Sequence, residues 1–170
     1  MIRLKQSDVV VIDSSNCELG ENEYNEFIEK NKKWLFEYAL FAAIKEEFGG
    51  KPWTEWPEEL RLRDEKALSE KEEELSDEIS FICFLQFEFF SQWEKLRSYA
   101  NRKGIKIVGD IPIYVPLDSA DVWAEPEQFL LDENLNPKRV AGCPPDSFSA
   151  DGQLWGNPIY DWEKMKENGF

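Results

Sequence analysis

Histidine is absent from the 170 residues of this sequence, and cysteine is scarce. Without histidine, Ser-His-Asp and Cys-His catalysis are excluded within the chain, as are the usual histidine-containing zinc sites. The three cysteines, Cys17, Cys83 and Cys143, are far apart and form no CxxC pair. Sparse, unpaired cysteines are typical of reduced thiols in a cytosolic protein, so we expect a cytoplasmic location.

Basic residues are also few: the sequence has 20 Lys and Arg but 35 Asp and Glu, which gives a net charge of −15. This charge argues against a nucleic-acid partner, because that affinity depends on cations neutralising phosphates, and against an anionic membrane surface. Long apolar runs are missing too. The N-terminus is too weakly apolar for a signal peptide, and residues 79–90 are interrupted by Gln86 and Glu88 and too short to span a bilayer.

Three stretches carry helical patterns. Residues 21–48 repeat apolar side chains at spacings of three and four, which predicts a helix that ends at Gly49-Gly50. The charged residues 60–78 predict a solvated helix with ion pairs one turn apart. Residues 79–102 are apolar on nearly all sides at first, which predicts a helix buried between other elements.

A β-branched run, residues 105–108, follows the helix-ending Gly104. A helix, a tight turn and a short strand form one αβ step of a parallel sheet. Asp110 would lie at the carboxyl end of that strand, which faces the active site in α/β barrels. Position alone leaves two roles open for Asp110: a ligand contact or a local turn cap.

The segment DSADVW contains a helix-start pattern. Asp118 or Ser119 is a candidate N-cap for a short helical turn. The neighbouring Trp123 is either a core residue or a platform for a sugar.

Asp132, Asn134 and Asn136 resemble the first ligands of a calcium loop. Pro137 stands where that loop needs glycine, and Cys143 stands where it needs glutamate. We therefore predict a turn and no metal.

Residues 144–160 combine short polar side chains with flat apolar ones. The polar groups are Asp146, Ser149, Asp151, Gln153 and Asn157, and the flat ones are Phe148, Trp155 and Tyr160. A pyranose has apolar C–H faces and a rim of hydroxyl groups, and it suits such a surface. The segment therefore predicts carbohydrate binding.

Four motifs, KIVGDIPIYV, DSADVW, VAGCPPDSFSADGQLWGNPIYDW and YALFAAIKEEFGGKPWTEWPEELRLRD, resemble those of the 4-α-glucanotransferases, also called amylomaltases or disproportionating enzymes. The resemblance runs from about Trp34 to the end of the chain. It implies an α/β fold: part of a (β/α)8 TIM barrel with a predominantly helical inserted subdomain. It also implies a retaining transfer of α-1,4-glucan segments between maltooligosaccharides, with no cofactor.

The same resemblance assigns substrate-binding residues. Asp110 matches the aspartate that ends the third barrel strand, near the donor sugar. Asp146 and Phe148 match a loop over the cleft. The family's residues that contact the sugar toward the acceptor side correspond to Ser149, Gln153 and Trp155.

The resemblance also implies a domain layout. Residues 1–25 are an uncertain N-terminal segment, residues 26–78 an inserted helical subdomain, and residues 79–170 the barrel helix, third strand and substrate-binding loops. No catalytic residue is expected in this chain, because the family's nucleophilic aspartate and acid/base glutamate would lie downstream.

We therefore expect a fragment that is inactive alone and whose partner is a maltooligosaccharide or α-1,4-glucan. Self-association through exposed sheet edges stays open. Two alternatives remain: a non-catalytic maltooligosaccharide-binding module and a helical interaction domain.

Overall fold

The computed structural model describes residues 21–110 and 113–169. The N-terminal expectations, including those for Cys17, lie outside the described residues. The elements in chain order are α1 (Glu21–Glu47), a 3-10 turn (Trp53–Glu55), α2 (Glu58–Arg61), α3 (Glu65–Glu74), α4 (Ser76–Arg102), α5 (Ala120–Ala124), a second 3-10 turn (Pro126–Gln128), β1 (Val140–Cys143), β2 (Gln153–Pro158) and α6 (Trp162–Glu167). The described part is thus mostly helical with one small sheet, and none of its helices is long and apolar enough to cross a membrane.

Helices α1 and α4 pack against each other and carry much of the core. The prediction of a helix over residues 21–48 is confirmed, and the helix ends where Gly49 and Gly50 take positive φ angles. Helix α4 places Ile79, Cys83 and Phe87 in the core. These three residues are four apart, so they form a single stripe along the helix.

The charged segment, residues 60–78, is not one helix: it contains the end of α2, the whole of α3 and the first residues of α4. Arg63 takes a φ of 60° between α2 and α3, and Asp64 then caps α3 by accepting from the Ala67 N–H at 3.0 Å. Helix α3 buries none of its residues. The prediction of a solvated, ion-paired helix is confirmed over this shorter range, with Lys66 and Glu70 3.6 Å apart.

A cluster of aromatic side chains closes the core at the end of α1. Trp53, Trp56 and Trp123 are all buried there beside Phe41. The Trp123 indole N–H donates to the Leu60 carbonyl at 2.9 Å. Of the two roles left open for Trp123, the structure therefore supports the core residue.

The expectation that α4 is buried on all sides is wrong in this chain. Phe89, Leu96 and Tyr99 are each more than half exposed. Within the described residues, α4 packs mainly along α1 and also contacts the short helix α3, and these two neighbours cover only part of its surface. Apolar side chains on the other faces of α4 therefore remain in contact with solvent.

The strand expected at residues 105–108 is also absent, although Gly104 does end α4 with a φ of 76°. Val108 is 91% exposed. A β-strand needs a neighbour to pair its backbone groups, and the two strands assigned among the described residues pair with each other. The composition of residues 105–108 suits a strand, but no strand in the described part of the chain pairs with them.

The small sheet is an antiparallel hairpin of β1 and β2, with Gly142 opposite Leu154 and Cys143 opposite Gln153. A Cβ on Gly142 would lie 2.5 Å from the Gln153 carbonyl oxygen. Glycine at this position therefore allows the two backbones to approach closely. The hairpin carries the segment that was expected to contact sugar.

Candidate functional site

The segment between the two strands is organised by Asp146. One oxygen of its carboxylate accepts from the backbone N–H groups of Phe148 and Ser149, each at 2.8 Å. The Ser149 hydroxyl in turn donates to the Gly152 carbonyl at 2.7 Å. These bonds form an Asx-type turn that holds Phe148 on the outside, with 95% of its surface exposed.

On β2, Gln153 and Trp155 form a pair. The Trp155 indole N–H donates to the Gln153 side-chain oxygen at 2.9 Å. Trp155 is 47% exposed, and Gln153 is exposed as well. Because the indole has one polar group and that group is bonded, the open ring face is a purely apolar surface.

The structure therefore brings together five of the predicted site residues: Asp146, Phe148, Ser149, Gln153 and Trp155 lie within one hairpin. It presents the two aromatic rings to solvent instead of sealing them in the core. Such an arrangement offers flat apolar faces beside oxygen and nitrogen groups, which is the chemistry that a sugar ring requires.

Asp110, the sixth predicted site residue, lies outside the hairpin. It is exposed and lies on irregular backbone, because the strand that was expected to carry it does not form. Tyr114, four residues downstream, contacts the Trp155 ring at a centroid distance of 6.4 Å. This contact joins Tyr114 to the hairpin.

Tyr114 also stacks on Tyr160, with centroids 6.1 Å apart and planes inclined by 19°. Tyr160 contacts Phe129, which is buried in the core, at 5.1 Å. Burial, followed by the charge of Asp121, raises the pKa of Tyr160 above its ordinary value. A line of rings thus runs from the exposed Trp155 to the core.

The DSADVW segment serves the fold. The Ser119 hydroxyl accepts from the Val122 N–H at 3.3 Å, so Ser119 is the N-cap of α5. Asp118 accepts from the Trp53 N–H at 3.3 Å and pairs with Lys45. The carboxylate of Asp118 therefore ties this segment to α1 and to the first 3-10 turn.

The predicted turn at Asp132 is confirmed. Its carboxylate accepts from the backbone N–H groups of Asn134 and Asn136, each at 2.9 Å. The bond from Asn136 is the main cause that lowers the pKa of Asp132. Over residues 21–110 and 113–169, no group of three or more acidic or cysteine side chains is arranged to hold a metal ion.

Two features escaped the sequence reasoning. No role is predicted for Tyr114 inside the motif KIVGDIPIYV, and the substrate-binding loops are predicted without the β1–β2 hairpin. The β-branched start of VAGC, followed by two prolines and Gly152, was the local signal for the hairpin. Nothing local could have shown which ring Tyr114 meets.

Comparison with known proteins identifies relatives over most of the chain. A family model described as 4-alpha-glucanotransferase matches residues 8–170. The 4-alpha-glucanotransferase of Clostridium butyricum is 49% identical over 151 residues, which are 88% of this chain and 31% of that protein. The enzyme of the same name from Aquifex aeolicus is 53% identical over 145 residues, which are 85% of this chain and 30% of that protein.

A solved structure agrees. The amylomaltase from Streptococcus agalactiae, in complex with acarbose, superposes with a TM-score of 0.80 at 46% identity. The match covers 89% of this chain and 30% of that one, so the chain spans about a third of the length of its relatives. Since the family model matches nearly the whole sequence, this chain belongs to the 4-alpha-glucanotransferase family.

Proposed function

We propose that the whole protein transfers α-1,4-glucan segments between maltooligosaccharides by a retaining mechanism. The observation that carries this proposal is the agreement of a family model over residues 8–170 with relatives of that name at about 50% identity. A retaining mechanism needs two carboxyl groups about 5 Å apart, one on each side of the scissile bond. We assign that pair to a part of the protein beyond this chain, and no cofactor to the reaction.

The part that this chain plays is to hold the glucan. Phe148 and Trp155 provide apolar faces for the sugar rings, and Gln153 and Ser149 bond to hydroxyl groups on the acceptor side. Asp146 keeps the turn in shape. The exposure of both aromatic rings in the hairpin supports these roles. The complex of the amylomaltase relative with acarbose supports sugar binding by the whole protein.

Asp110 acts near the donor sugar, at the end of the third strand of a (β/α)8 barrel. The β-branched run over residues 105–108 supports a strand at this place, although Val108 is almost fully exposed in this chain. A run of this composition is suited to a half-buried sheet. A neighbouring strand would pair its backbone and cover its side chains.

Titration with maltoheptaose tests the binding role. We expect the sugar to change the tryptophan fluorescence of the chain, and we expect Trp155→Ala to remove most of that change. Trp93→Ala is the matched control, because Trp93 is about as exposed as Trp155 but lies on α4. An equal response in all three proteins would contradict the assignment of Trp155, and no response in any would contradict glucan binding by this chain.

Incubation with maltotriose tests the catalytic proposal. The chain alone should release no glucose and form no longer oligomers, whereas the whole protein should do both. Turnover by the purified chain would refute the assignment of the catalytic carboxyl groups to another part of the protein. Absence of turnover by the whole protein would refute the transferase proposal itself.

The cellular location is proposed to be the cytoplasm. Cys83 and Cys143, the two cysteines within the described residues, are both free thiols. Free thiols are the usual state in a reducing compartment. Cell fractionation with an antibody against the chain tests this location.

A further inference from the structure

We propose that Tyr114 is a positioning residue that sets the orientation of the Trp155 indole and so shapes the glucan-binding surface. This inference rests on the proposed function, which makes Trp155 a sugar platform. Tyr114 itself is half-buried and contacts an indole that is 47% exposed. Its task is therefore to support the ring that meets the ligand.

The Trp155 indole makes an N–H bond to Gln153 and a ring contact with Tyr114. Its N–H bond to Gln153 fixes one point of the ring, but a single bond leaves the ring free to tilt about it. Tyr114 meets that ring at 6.4 Å with the planes inclined by 52°. Aromatic pairs at centroid distances of about 4.5–7 Å attract each other with a preferred geometry. The second contact therefore selects one tilt of the indole.

Tyr114 can act as a support because it is itself held. Tyr160 stacks on the Tyr114 ring with the centroids 6.1 Å apart, and it also contacts both Phe129 and Trp162. The backbone on both sides of Tyr160 is bonded to the Gln128–Leu130 stretch, through Leu130 N–H to Ile159 O and Asp161 N–H to Gln128 O. A rigid backbone thus fixes Tyr160, and Tyr160 fixes Tyr114.

The contact joins two segments that are distant in the sequence. Tyr114 precedes α5, while Trp155 lies on β2. Loss of the Tyr114 ring would therefore remove a support that the hairpin itself does not supply to the indole. Pre-organisation of this kind raises affinity because the surface does not have to be ordered when the ligand binds.

Fluorine NMR of the chain labelled with 5-fluorotryptophan tests the proposal. Trp155→Phe assigns the Trp155 resonance by removing it. We expect Tyr114→Leu to shift that resonance beyond its line width and to weaken maltoheptaose binding roughly three- to tenfold, the range for loss of one ring pair. Tyr114→Phe keeps the ring and should restore both values, which a role of the hydroxyl group would not allow.

Tyr99→Leu is the control, because Tyr99 is an exposed tyrosine on α4. The proposal is overturned if Tyr114→Leu leaves the Trp155 resonance in place, or if Tyr99→Leu moves it equally. If Tyr114→Leu does not fold, an NOE between the rings of Tyr114 and Trp155 in the unsubstituted chain decides, since its absence contradicts the contact. If the unsubstituted chain does not bind maltoheptaose, the proposed function fails for this chain, and the resonance shift still upholds or overturns the positioning of the indole.

Discussion

In the helical core, the indole N–H of Trp123 donates to the Leu60 carbonyl at 2.9 Å, and the side chain is 1% exposed. In the hairpin, the indole N–H of Trp155 donates to the Gln153 side chain at the same distance, and the side chain is 47% exposed. The two residues make similar hydrogen bonds. What separates them is whether the ring faces are covered.

The difference teaches that a satisfied indole N–H does not reveal the role of a tryptophan. The faces of Trp123 are covered by the rings of Phe41 and Trp56 and by the Arg63 guanidinium, 4.2 Å from the ring centroid. Trp155 has Tyr114 as its ring partner among the described residues. Burial of both faces gives stability, whereas an open face leaves a surface for a ligand.

Replacement of the two tryptophans gives the sharpest contrast. We expect Trp123→Ala to lower the free energy of unfolding by about 3–5 kcal/mol, because it opens a large cavity in the core. Trp155→Ala should cost less than about 1.5 kcal/mol, the worth of an aromatic pair beyond its burial. Urea denaturation followed by circular dichroism measures both, and equal losses would remove the distinction between core and surface.

Gly152→Ala tests how tightly the hairpin is closed. Gly152 has a φ of 72°, and a Cβ there would lie 2.5 Å from the Cys143 carbonyl oxygen. We expect a loss of about 1–3 kcal/mol in stability from backbone strain, with chemical-shift changes concentrated in the hairpin. Gly109→Ala is the control, since an added Cβ there meets no atom within 4 Å.

Asp146→Ala tests the turn that presents Phe148. Loss of the two bonds from the Phe148 and Ser149 N–H groups should cost about 1 kcal/mol, as for an N-cap aspartate. Hydrogen exchange at these two amides should accelerate while exchange in α1 stays unchanged. Protection that survives at both amides would mean that the carboxylate does not hold the turn.

The smallest expected effect is a pH dependence at Tyr160. Because burial raises the pKa of Tyr160 above its ordinary value of 10.0, the folded chain keeps the phenolic proton at a pH where the unfolded chain has lost it. This contribution to stability is fully present below pH 10.0 and is lost as the pH rises through the folded pKa.

Thermal unfolding at increasing alkaline pH measures this loss, with Tyr160→Phe as the variant that removes the titrating group. We expect the decline in Tm above pH 10.0 to be shallower in the variant. An identical decline in both proteins would show that Tyr160 does not contribute to it.

Much of the helical part could be predicted because its signals are local. The spacing of apolar residues in α1, the charge of α3 and the N-cap at Ser119 each depend on residues within a few positions of one another. The turn at Asp132 is local in the same way. By contrast, the strand at residues 105–108 was predicted from composition and does not form, because pairing requires a neighbour that composition cannot supply.

The candidate site divides along the same line. The residue types of the hairpin predict sugar binding, and the structure shows that Phe148 and Trp155 are exposed. The bond between Gln153 and Trp155 spans two positions of one strand, yet the contact between Tyr114 and Trp155 spans more than forty. Only the contact between Tyr114 and Trp155 depends on the tertiary structure.

The sequence by itself determined the family, the long helices, the helix start at Asp118-Ser119 and the chemical character of the hairpin, since each depends on neighbouring residues or on extended motifs. The tertiary structure decided which tryptophan is core and which is surface, left much of the apolar surface of α4 exposed and brought Tyr114 to Trp155. The physical reason is that burial and ring contact depend on what distant segments place on each side of a residue, and chain-local patterns carry no record of that.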